Sequence, residues 1–261
     1  MKSPVDYRPI SVSNTLSSIL ESILLSEMGC FNNIHKHQFG SKKKLTSKHA
    51  YFLVNEISNY YRKNVSNVHI LSLDACKAFD KLWRDGLFFK LKDKVSEPIW
   101  RILFNYYKHS KIIVKYDNNL SQPITYTEGV KQGGILSSYL FNYFINELLE
   151  KCTNLNIGAS INGLNLSIIA YCDDIVIISP SFGQAVKLLE KCFDYLKEWK
   201  IDFNPKKSVC LSLSSSGKIL NTNIISGGTN IPNVQGFEYL GLPLGTNNYK
   251  REFIEEKWKK V

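Results

Sequence analysis

Apolar residues recur along this chain with two periods, one typical of helices and one typical of strands. Helical spacing predicts helices around residues 16–24, 49–63, 85–91, 98–107, 138–150 and 182–199. Short apolar or alternating runs predict strands at 70–74, 112–116, 124–127, 166–170, 175–179, 209–213, 219–225 and 237–244. Because the two kinds of element mix without regular βαβ alternation, the pattern favours an α+β fold, an antiparallel sheet backed by helices.

Two adjacent carboxylates lie between two of these apolar strands. Asp173 and Asp174 separate the run that ends at Ala170 from the run that begins at Ile175, which predicts a tight hairpin with the acidic pair at its tip. An Asp-Asp pair at a hairpin is often only a solvated turn. Beside buried strands, however, like-charge repulsion and desolvation favour neutralisation by a cation.

A second acidic strand end lies far upstream. The apolar run from Ile70 to Leu73 ends at Asp74 and is followed by a helix-like segment. Asp74 can meet the acidic hairpin only if the two strands lie side by side in one sheet. That geometry suits two divalent ions that bridge a triphosphate, so the implied chemistry is nucleotidyl transfer.

Composition narrows the class of protein only weakly. The 33 basic and 23 acidic residues give a net charge of +10, which favours a polyanionic partner, although an ordinary solvated surface explains such a charge about as often. The six cysteines show neither zinc-ligand nor disulfide-framework spacing, which is typical of a reducing compartment. With no run near ~18 apolar residues and no signal-peptide pattern, the sequence predicts an intracellular protein, nuclear or cytoplasmic, away from membranes.

The order of five short segments is more specific than any one of them. They are Asp74 with Phe79, then 129–137 (GVKQGGILS), 171–174 (YCDD), 203–208 (FNPKKS) and 239–241 (YLG). In this order they resemble the motifs of a reverse transcriptase, and the segments 6–11 (DYRPIS) and 38–40 (QFG) resemble the branch found in non-LTR (LINE-type) retrotransposons. The resemblance extends from about residue 6 to about residue 245.

The resemblance implies an RNA-directed DNA polymerase that adds deoxynucleotides to a primer 3′-OH by a two-metal mechanism. Asp74 and Asp173 would be the principal ligands of two Mg²⁺ ions, with Mn²⁺ as a substitute. Asp174 would add charge and a weaker contact, and the carbonyl of Ala75 would complete the coordination. Lys207 would protonate the leaving pyrophosphate, with Lys206 as its rival and a solvated lysine pair as the alternative.

Other positions are carried over from the same resemblance. Phe79 would exclude a ribose 2′-hydroxyl, unless it is plain core, and Asp80 would orient local structure. The incoming nucleotide would also contact Arg8, Gln132 and Gly133. The RNA template and DNA primer would contact Gln38, Phe39, Lys42, Tyr171, Tyr239, Leu240 and Gly241. Cys172 departs from the alanine usual in this family, and we expect it to fit against the primer end.

The resemblance also implies a domain organisation. Residues 1–69 would belong to a helical, basic fingers lobe, and 70–245 to a right-hand polymerase palm that includes a fingers hairpin at about 110–130. Residues 246–261 would begin a thumb that is absent or truncated. An endonuclease domain is expected to be missing from this chain, which would make it a fragment of a retroelement.

Three alternatives remain at the level of sequence. The chain could be a catalytically inactive remnant that still binds nucleic acid. An RNA-dependent RNA polymerase is disfavoured by Phe79 and by the Arg8-Pro9 opening. An enzyme of the group II intron type is disfavoured because a maturase region is not evident.

Overall fold

The protein is described here by a computed structural model that covers residues 10–75, 77–202, 204, 207–226 and 229–259. Contacts divide the chain into two compact units. The first unit contains residues 1–34, 77–144 and 199–201, and the second contains 35–76, 145–198 and 202–261. These units interleave along the chain, so the predicted boundaries of fingers, palm and thumb stay a prediction.

Seven helices and fourteen strands occur within the described residues. The helices are α1 (Thr15–Glu27), α2 (Ser47–Lys63), α3 (Arg84–Leu91), α4 (Glu97–Lys108), α5 (Ser137–Asn154), α6 (Phe182–Glu198) and α7 (Asn247–Trp258). The strands are β1 (Val68–Leu73), β2 (Lys111–Ile112), β3 (Lys115–Tyr116), β4 (Asn119–Leu120), β5 (Ile124–Thr125), β6 (Ser160–Ile161), β7 (Leu164–Asn165), β8 (Ile168–Tyr171), β9 (Asp174–Ser179), β10 (Val209–Leu213), β11 (Ile224–Ser226), β12 (Thr229–Ile231), β13 (Gly236–Tyr239) and β14 (Leu242–Gly245).

A four-stranded sheet forms the centre of the second unit. Its strand order is β10-β1-β9-β8, and each neighbouring pair is antiparallel. The register pairs Ile70 with Leu211 on one side and with Ile178 on the other. The α+β class predicted from the sequence, an antiparallel sheet with helices, is therefore confirmed.

Both faces of this sheet are covered, which explains why its central strands are apolar almost throughout. On one face, Ile70 and Ile178 are buried in a cluster with Val54 and Ile57 of α2. Helix α6 also packs on β1 and β9. A 3.6-residue pattern buries one stripe of α6, namely Ala185, Leu188, Leu189, Cys192, Tyr195 and Leu196. The helices α2 and α6 thus fix the two sides of the strands that end at the acidic residues.

The first unit contains α1, α3, α4, the short strands β2–β5 and the start of α5. Its interior includes a buried cation, Arg84, whose guanidinium donates to the carbonyls of Gly129, Tyr107 and Tyr126. The guanidinium also lies over the rings of Tyr107 and Tyr126, 5.1 Å and 4.6 Å from their centroids. The three carbonyl acceptors and the two rings offset part of the cost of burying this charge, while Nη2 has no hydrogen-bond partner among the described residues.

Helix α1 forms as expected, but its buried face combines one residue of the apolar stripe, Leu24, with a polar residue. Leu16, Ile19 and Ile23 are exposed, whereas Glu21 is buried. The reason is a polar network: the Glu21 carboxylate accepts hydrogen bonds from the Tyr106 hydroxyl at 2.7 Å and from a backbone N–H. Apolar spacing alone could not reveal this, because it assumes that the polar side faces water.

Most of the other predicted elements are confirmed, with three corrections among the strands. The strand predicted over 112–116 is divided into β2 and β3, which pair with β5 and β4 respectively. The strand predicted over 237–244 is instead the hairpin β13–β14, turned at Leu240 and Gly241, whose φ values are 51° and 85°. Consecutive residues with positive φ make a tight turn compatible with the strand twist. Of the strand predicted over 219–225, only residues from Ile224 onward are in a strand.

Among the described residues, no helix is long and apolar enough to cross a membrane.

The central cluster provides a test of the fold. Ile178→Ala removes a side chain that is 0% exposed, so we expect it to lower the free energy of unfolding by about 2–5 kcal/mol. Ile225→Ala, at a position that is 66% exposed, is the matched control and should change it by no more than about 0.5 kcal/mol. Urea titration followed by circular dichroism measures both variants. Equal effects at the two positions would contradict the described core.

Candidate active site

The acidic pair lies where the sequence predicts it, at the turn between β8 and β9. Tyr171 pairs with Asp174 at the end of the hairpin, and Cys172 and Asp173 form the two-residue loop. Cys172 has a φ of 53°, in the left-handed region that favours glycine. Tyr171, Cys172 and Asp173 are half-buried, and Asp174 is exposed. The loop therefore projects from the buried sheet toward the surface.

Strand pairing brings the second acidic strand end to the same place. The last residue of β1, Leu73, pairs with Ile175 of β9. Asp74 follows Leu73 and Asp174 precedes Ile175, so both acidic residues come directly after the last pair of this ladder. The side-by-side arrangement of the two acidic strand ends, which the sequence analysis required, is present.

The backbone of Asp74 is held by the segment that follows α6. The Asp74 N–H donates to the Ser208 hydroxyl at 2.9 Å, and the Asp74 carbonyl accepts from the Asn204 N–H at 2.9 Å. The Ser208 hydroxyl donates in turn to the Asn204 carbonyl. Sequence reasoning noted this segment for Lys207, which is exposed, and missed the anchoring roles of Asn204 and Ser208. Lys206 lies outside the described residues.

The carboxylates impose a negative potential on their neighbours. The pKa of the Cys172 thiol is raised to about 11, chiefly by burial; a hydrogen bond with Ser41 opposes the rise, and the charges of Asp173 and Asp174 add to it. Burial also raises the pKa of Tyr239, with the charge of Asp174 as a second cause. The Tyr239 hydroxyl is buried and has no hydrogen-bond partner within the described residues. Its raised pKa indicates that Asp174 acts on a poorly solvated group.

The donor chemistry at these strand ends fits a hard divalent cation. Asp74, Asp173 and Asp174 offer carboxylate oxygens, the ligands preferred by Mg²⁺, and the negative potential at Cys172 and Tyr239 is what a cation would offset. Across the described ranges, no three His, Cys, Asp or Glu side chains are grouped closely enough to form a metal site by themselves. The binding of Mg²⁺ by these carboxylates therefore stays a prediction.

The residues expected to contact the nucleotide belong to the first unit, apart from Arg8, which lies outside the described residues. The Gln132 amide donates to the Asp80 carboxylate at 2.7 Å, and the Gln132 carbonyl accepts from the Ser11 N–H. Gly133 has a φ of 101°, and a Cβ there would lie 2.9 Å from the Ser11 carbonyl. The loop therefore requires glycine at position 133.

Phe79 is a half-buried ring of the same unit. It stacks on Phe141 with the ring centroids 4.8 Å apart, and its carbonyl accepts from the Val130 N–H. Packing and a nucleotide contact are compatible for a half-buried ring, so its selective role stays a prediction. Asp80 accepts the hydrogen bond from Gln132, and its orienting role stays a prediction.

Three residues expected at the template lie beside the acidic hairpin in the second unit. The Gln38 side chain is fully buried and hydrogen-bonded to the backbone of Cys172. Phe39 is partly buried against the sheet cluster, and its N–H donates to the Ala170 carbonyl. The Lys42 ammonium donates to the His35 carbonyl at 2.7 Å, and burial lowers its pKa. Their contact with a template stays a prediction.

The segment expected at the primer, Tyr239 to Gly241, forms the turn of the β13–β14 hairpin. Tyr239 and Leu244 are buried in the same cluster as the central sheet. The hairpin is also joined to α2, because the Tyr51 hydroxyl donates to the Pro243 carbonyl at 2.8 Å. Its turn is thus fixed relative to the sheet that bears the acidic residues, while Gly241 is exposed.

An antiparallel sheet covered by helices, with carboxylates at two of its strand ends, is the arrangement that the comparisons with known proteins address. The sequence profile described as "Reverse transcriptase (RNA-dependent DNA polymerase)" matches residues 1–244. The chain belongs to the reverse transcriptase family. Solved structures agree on the fold: telomerase from Candida tropicalis superposes with a TM-score of 0.55 at 14% identity, over 89% of this chain and 44% of the telomerase chain.

Curated relatives come from non-LTR retrotransposons. The chain is 26% identical to "Probable RNA-directed DNA polymerase from transposon BS" of Drosophila melanogaster, over 93% of this chain and 28% of that protein. It is 25% identical to "RNA-directed DNA polymerase from mobile element jockey" of Drosophila funebris, over 93% of this chain and 27% of that protein. This chain thus spans about a quarter of the length of these relatives, and the retrotransposon branch expected from the sequence is confirmed.

The environment of Cys172 predicts low thiol reactivity. Because the pKa rises from 9.0 to about 11, the thiolate fraction at pH 8 should fall about 100-fold, and alkylation should slow by at least that factor relative to urea-denatured protein. Mass spectrometry of the peptide alkylated by iodoacetamide measures the rate, and Cys172→Ser supplies the blank. Equal rates in native and denatured protein would contradict the described environment.

Proposed function

We propose that this chain is the polymerase core of a non-LTR retrotransposon reverse transcriptase, which adds deoxynucleotides to a primer 3′-OH by copying RNA. The proposal rests on one observation above all, the antiparallel register that brings Asp74 beside Asp174, with Asp173 next to it. An acidic cluster at the end of a buried sheet serves no evident structural purpose. It suits a reaction in which charged phosphates and a cation come together.

Asp74, Asp173 and Asp174 would hold two Mg²⁺ ions, or Mn²⁺ in their place, with a further oxygen from the Ala75 carbonyl. Divalent cations, when bound, neutralise the triphosphate and favour ionisation of the primer hydroxyl. The anchoring of Asp74 by Asn204 and Ser208 supports this role, since a ligand on a fixed backbone needs little reorganisation. Lys207 would donate a proton to the departing pyrophosphate.

The nucleotide and nucleic-acid contacts complete the proposal. Gln132, Gly133 and Arg8 would contact the incoming nucleotide, and Phe79 would reject a 2′-hydroxyl. Phe39, Lys42, Tyr171 and the Tyr239–Gly241 turn would contact the RNA template and the DNA primer. The net charge of +10 favours such polyanionic partners. Gln38 is also expected at the template, and its side chain is buried against the acidic hairpin.

Primer extension tests the proposed activity. With an RNA template, a DNA primer, deoxynucleotides and Mg²⁺, we expect extension that Asp74→Asn and Asp173→Asn each reduce at least about 1,000-fold. Asp194→Asn is the matched control, because it removes one carboxylate charge at an exposed position on α6 and should leave extension unchanged. The rate of single-nucleotide addition, measured on gels, is the readout.

Two other results would change the conclusion. Extension that survives both substitutions would exclude these carboxylates from the chemistry. No extension by the unsubstituted protein, with salt-sensitive binding of the template intact, would favour the nucleic-acid-binding remnant.

Phe79→Ala tests sugar selection separately. We expect the preference for deoxynucleotides over ribonucleotides, expressed as the ratio of the two kcat/KM values, to fall by about 10-fold or more. The ratio is the informative quantity because loss of packing against Phe141 would slow both reactions alike. An unchanged ratio would restrict Phe79 to a packing role.

A further inference from the structure

The turn that bears Asp173 has a backbone conformation that its own sequence does not favour. Cys172, the first residue of the two-residue loop, has a φ of 53° and is not a glycine. Side chains other than glycine, asparagine and aspartate rarely adopt this region, and they do so where surrounding contacts hold them. The position of Asp173 therefore depends on whatever fixes Cys172.

A single side chain makes two contacts with the backbone of Cys172. The Gln38 Oε1 atom accepts from the Cys172 N–H at 2.8 Å, and the Gln38 Nε2 atom donates to the Cys172 carbonyl at 3.3 Å. The same Oε1 atom accepts from the Gly40 N–H at 2.9 Å. Gln38 is 0% exposed, so these bonds form away from water, where loss of a partner costs most.

Gln38 is itself fixed by strand-like pairing. The Phe39 N–H donates to the Ala170 carbonyl at 2.8 Å, and the Ala170 N–H donates to the His37 carbonyl at 2.9 Å. Gln38 and Ala170 thus form a parallel bridge along β8, which is the outer strand of the four-stranded sheet. This pairing fixes the position of Gln38 along β8. From that position the side-chain amide of Gln38 reaches Cys172, which is two residues after Ala170.

Gly40 closes the other side of the turn. A Cβ at position 40 would lie 2.4 Å from the Cys172 sulfur and 2.6 Å from the Cys172 backbone nitrogen. A side chain could move away from such a contact, but a backbone nitrogen held by Gln38 could not do so without moving the loop. The segment 38–40 therefore fits the loop in two ways. Gln38 holds the Cys172 backbone by hydrogen bonds, which we call the Gln38 grip, and Gly40 leaves room because it has no side chain.

We propose that Gln38 is a positioning residue that fixes the loop of the acidic hairpin through the backbone of Cys172, with Gly40 as the required small neighbour. This role differs from the template contact expected from the sequence. It concerns the geometry of Asp173, and so it predicts an effect on the chemical step rather than on nucleic-acid affinity. The kinetic part of the test rests on the proposed polymerase function, whereas the exchange part does not.

Amide hydrogen exchange tests the hydrogen bonds between Gln38 and the Cys172 backbone and requires no polymerase activity. In protein labelled with [¹⁵N]cysteine, the Cys172 amide is assigned by its loss in Cys172→Ser. The N–H groups of a two-residue hairpin loop normally face solvent, yet here we expect exchange at least about 10-fold slower than in a free peptide. Gln38→Met, which keeps the size and removes the amide, should abolish this protection and leave that of Cys192 in α6 unchanged.

The unsubstituted protein alone can refute the grip, because an unprotected Cys172 amide would show that Gln38 does not hold it. Loss of protection at Cys192 in Gln38→Met would instead report unfolding of that variant. Gly40→Ala then replaces it, with the same expectation of faster exchange at Cys172. Unchanged exchange at Cys172 in a folded variant would overturn the proposal.

Single-turnover extension separates positioning from template binding. For Gln38→Met we expect the rate constant at saturating nucleotide to fall about 10–100-fold, with the Kd for primer–template within about 2-fold of the unsubstituted value. Gln235→Met, at an exposed glutamine of the same unit, is the control and should change neither quantity. A weaker Kd with an unchanged rate constant would assign Gln38 to the template instead. Absence of extension by the unsubstituted protein would refute the proposed function, and the exchange result would still decide on the grip.

Discussion

The candidate active site depends on the antiparallel pairing of β1 with β9. Both strands are covered by helices, so charged side chains are tolerated only where the strands end. In an antiparallel pair, the end of one strand lies beside the start of the other, and this places Asp74 next to Asp174. A slip of one residue would turn every side chain of β1 to the opposite face and separate the carboxylates. The pairing of β1 with β9 therefore determines the site as well as the core.

The elements that produce this pairing could be predicted from the sequence. The run from Ile70 to Leu73 and the runs on either side of the acidic pair are apolar, short and bounded by turn residues, and each forms a strand. Motif order added what periodicity could not, namely that these distant strands are neighbours. Helix bounds were also predictable within a few residues, because α2, α4 and α6 have strong amphipathic patterns and basic residues in their last turns.

Polar residues that face inward could not be predicted in the same way. Glu21 is buried by its contact with Tyr106, and Gln38 by its contact with Cys172, and in both cases the partner lies far away in sequence. A pattern of hydrophobic and polar positions assigns such residues to the surface, since it contains no information about their partners. For the same reason, the contacts of Asn204 and Ser208 with Asp74 could not be predicted. The division of the chain into two interleaved units depends on long-range packing, which no local sequence signal encodes.

The contacts that hold the acidic strand ends share one physical property. Ser208 and Asn204 bind the peptide N–H and carbonyl of Asp74, and Gln38 binds the peptide N–H and carbonyl of Cys172. Each grip fixes a main-chain position without using a carboxylate oxygen of Asp74 or Asp173 as its partner. A carboxylate whose backbone is fixed in this way can exchange bound water for a phosphate-bound cation, and the cation for water again, while its position is retained. Backbone atoms hold the residues, and the carboxylate oxygens take no part in these contacts. A site needs this arrangement if its cations arrive and leave with the substrate.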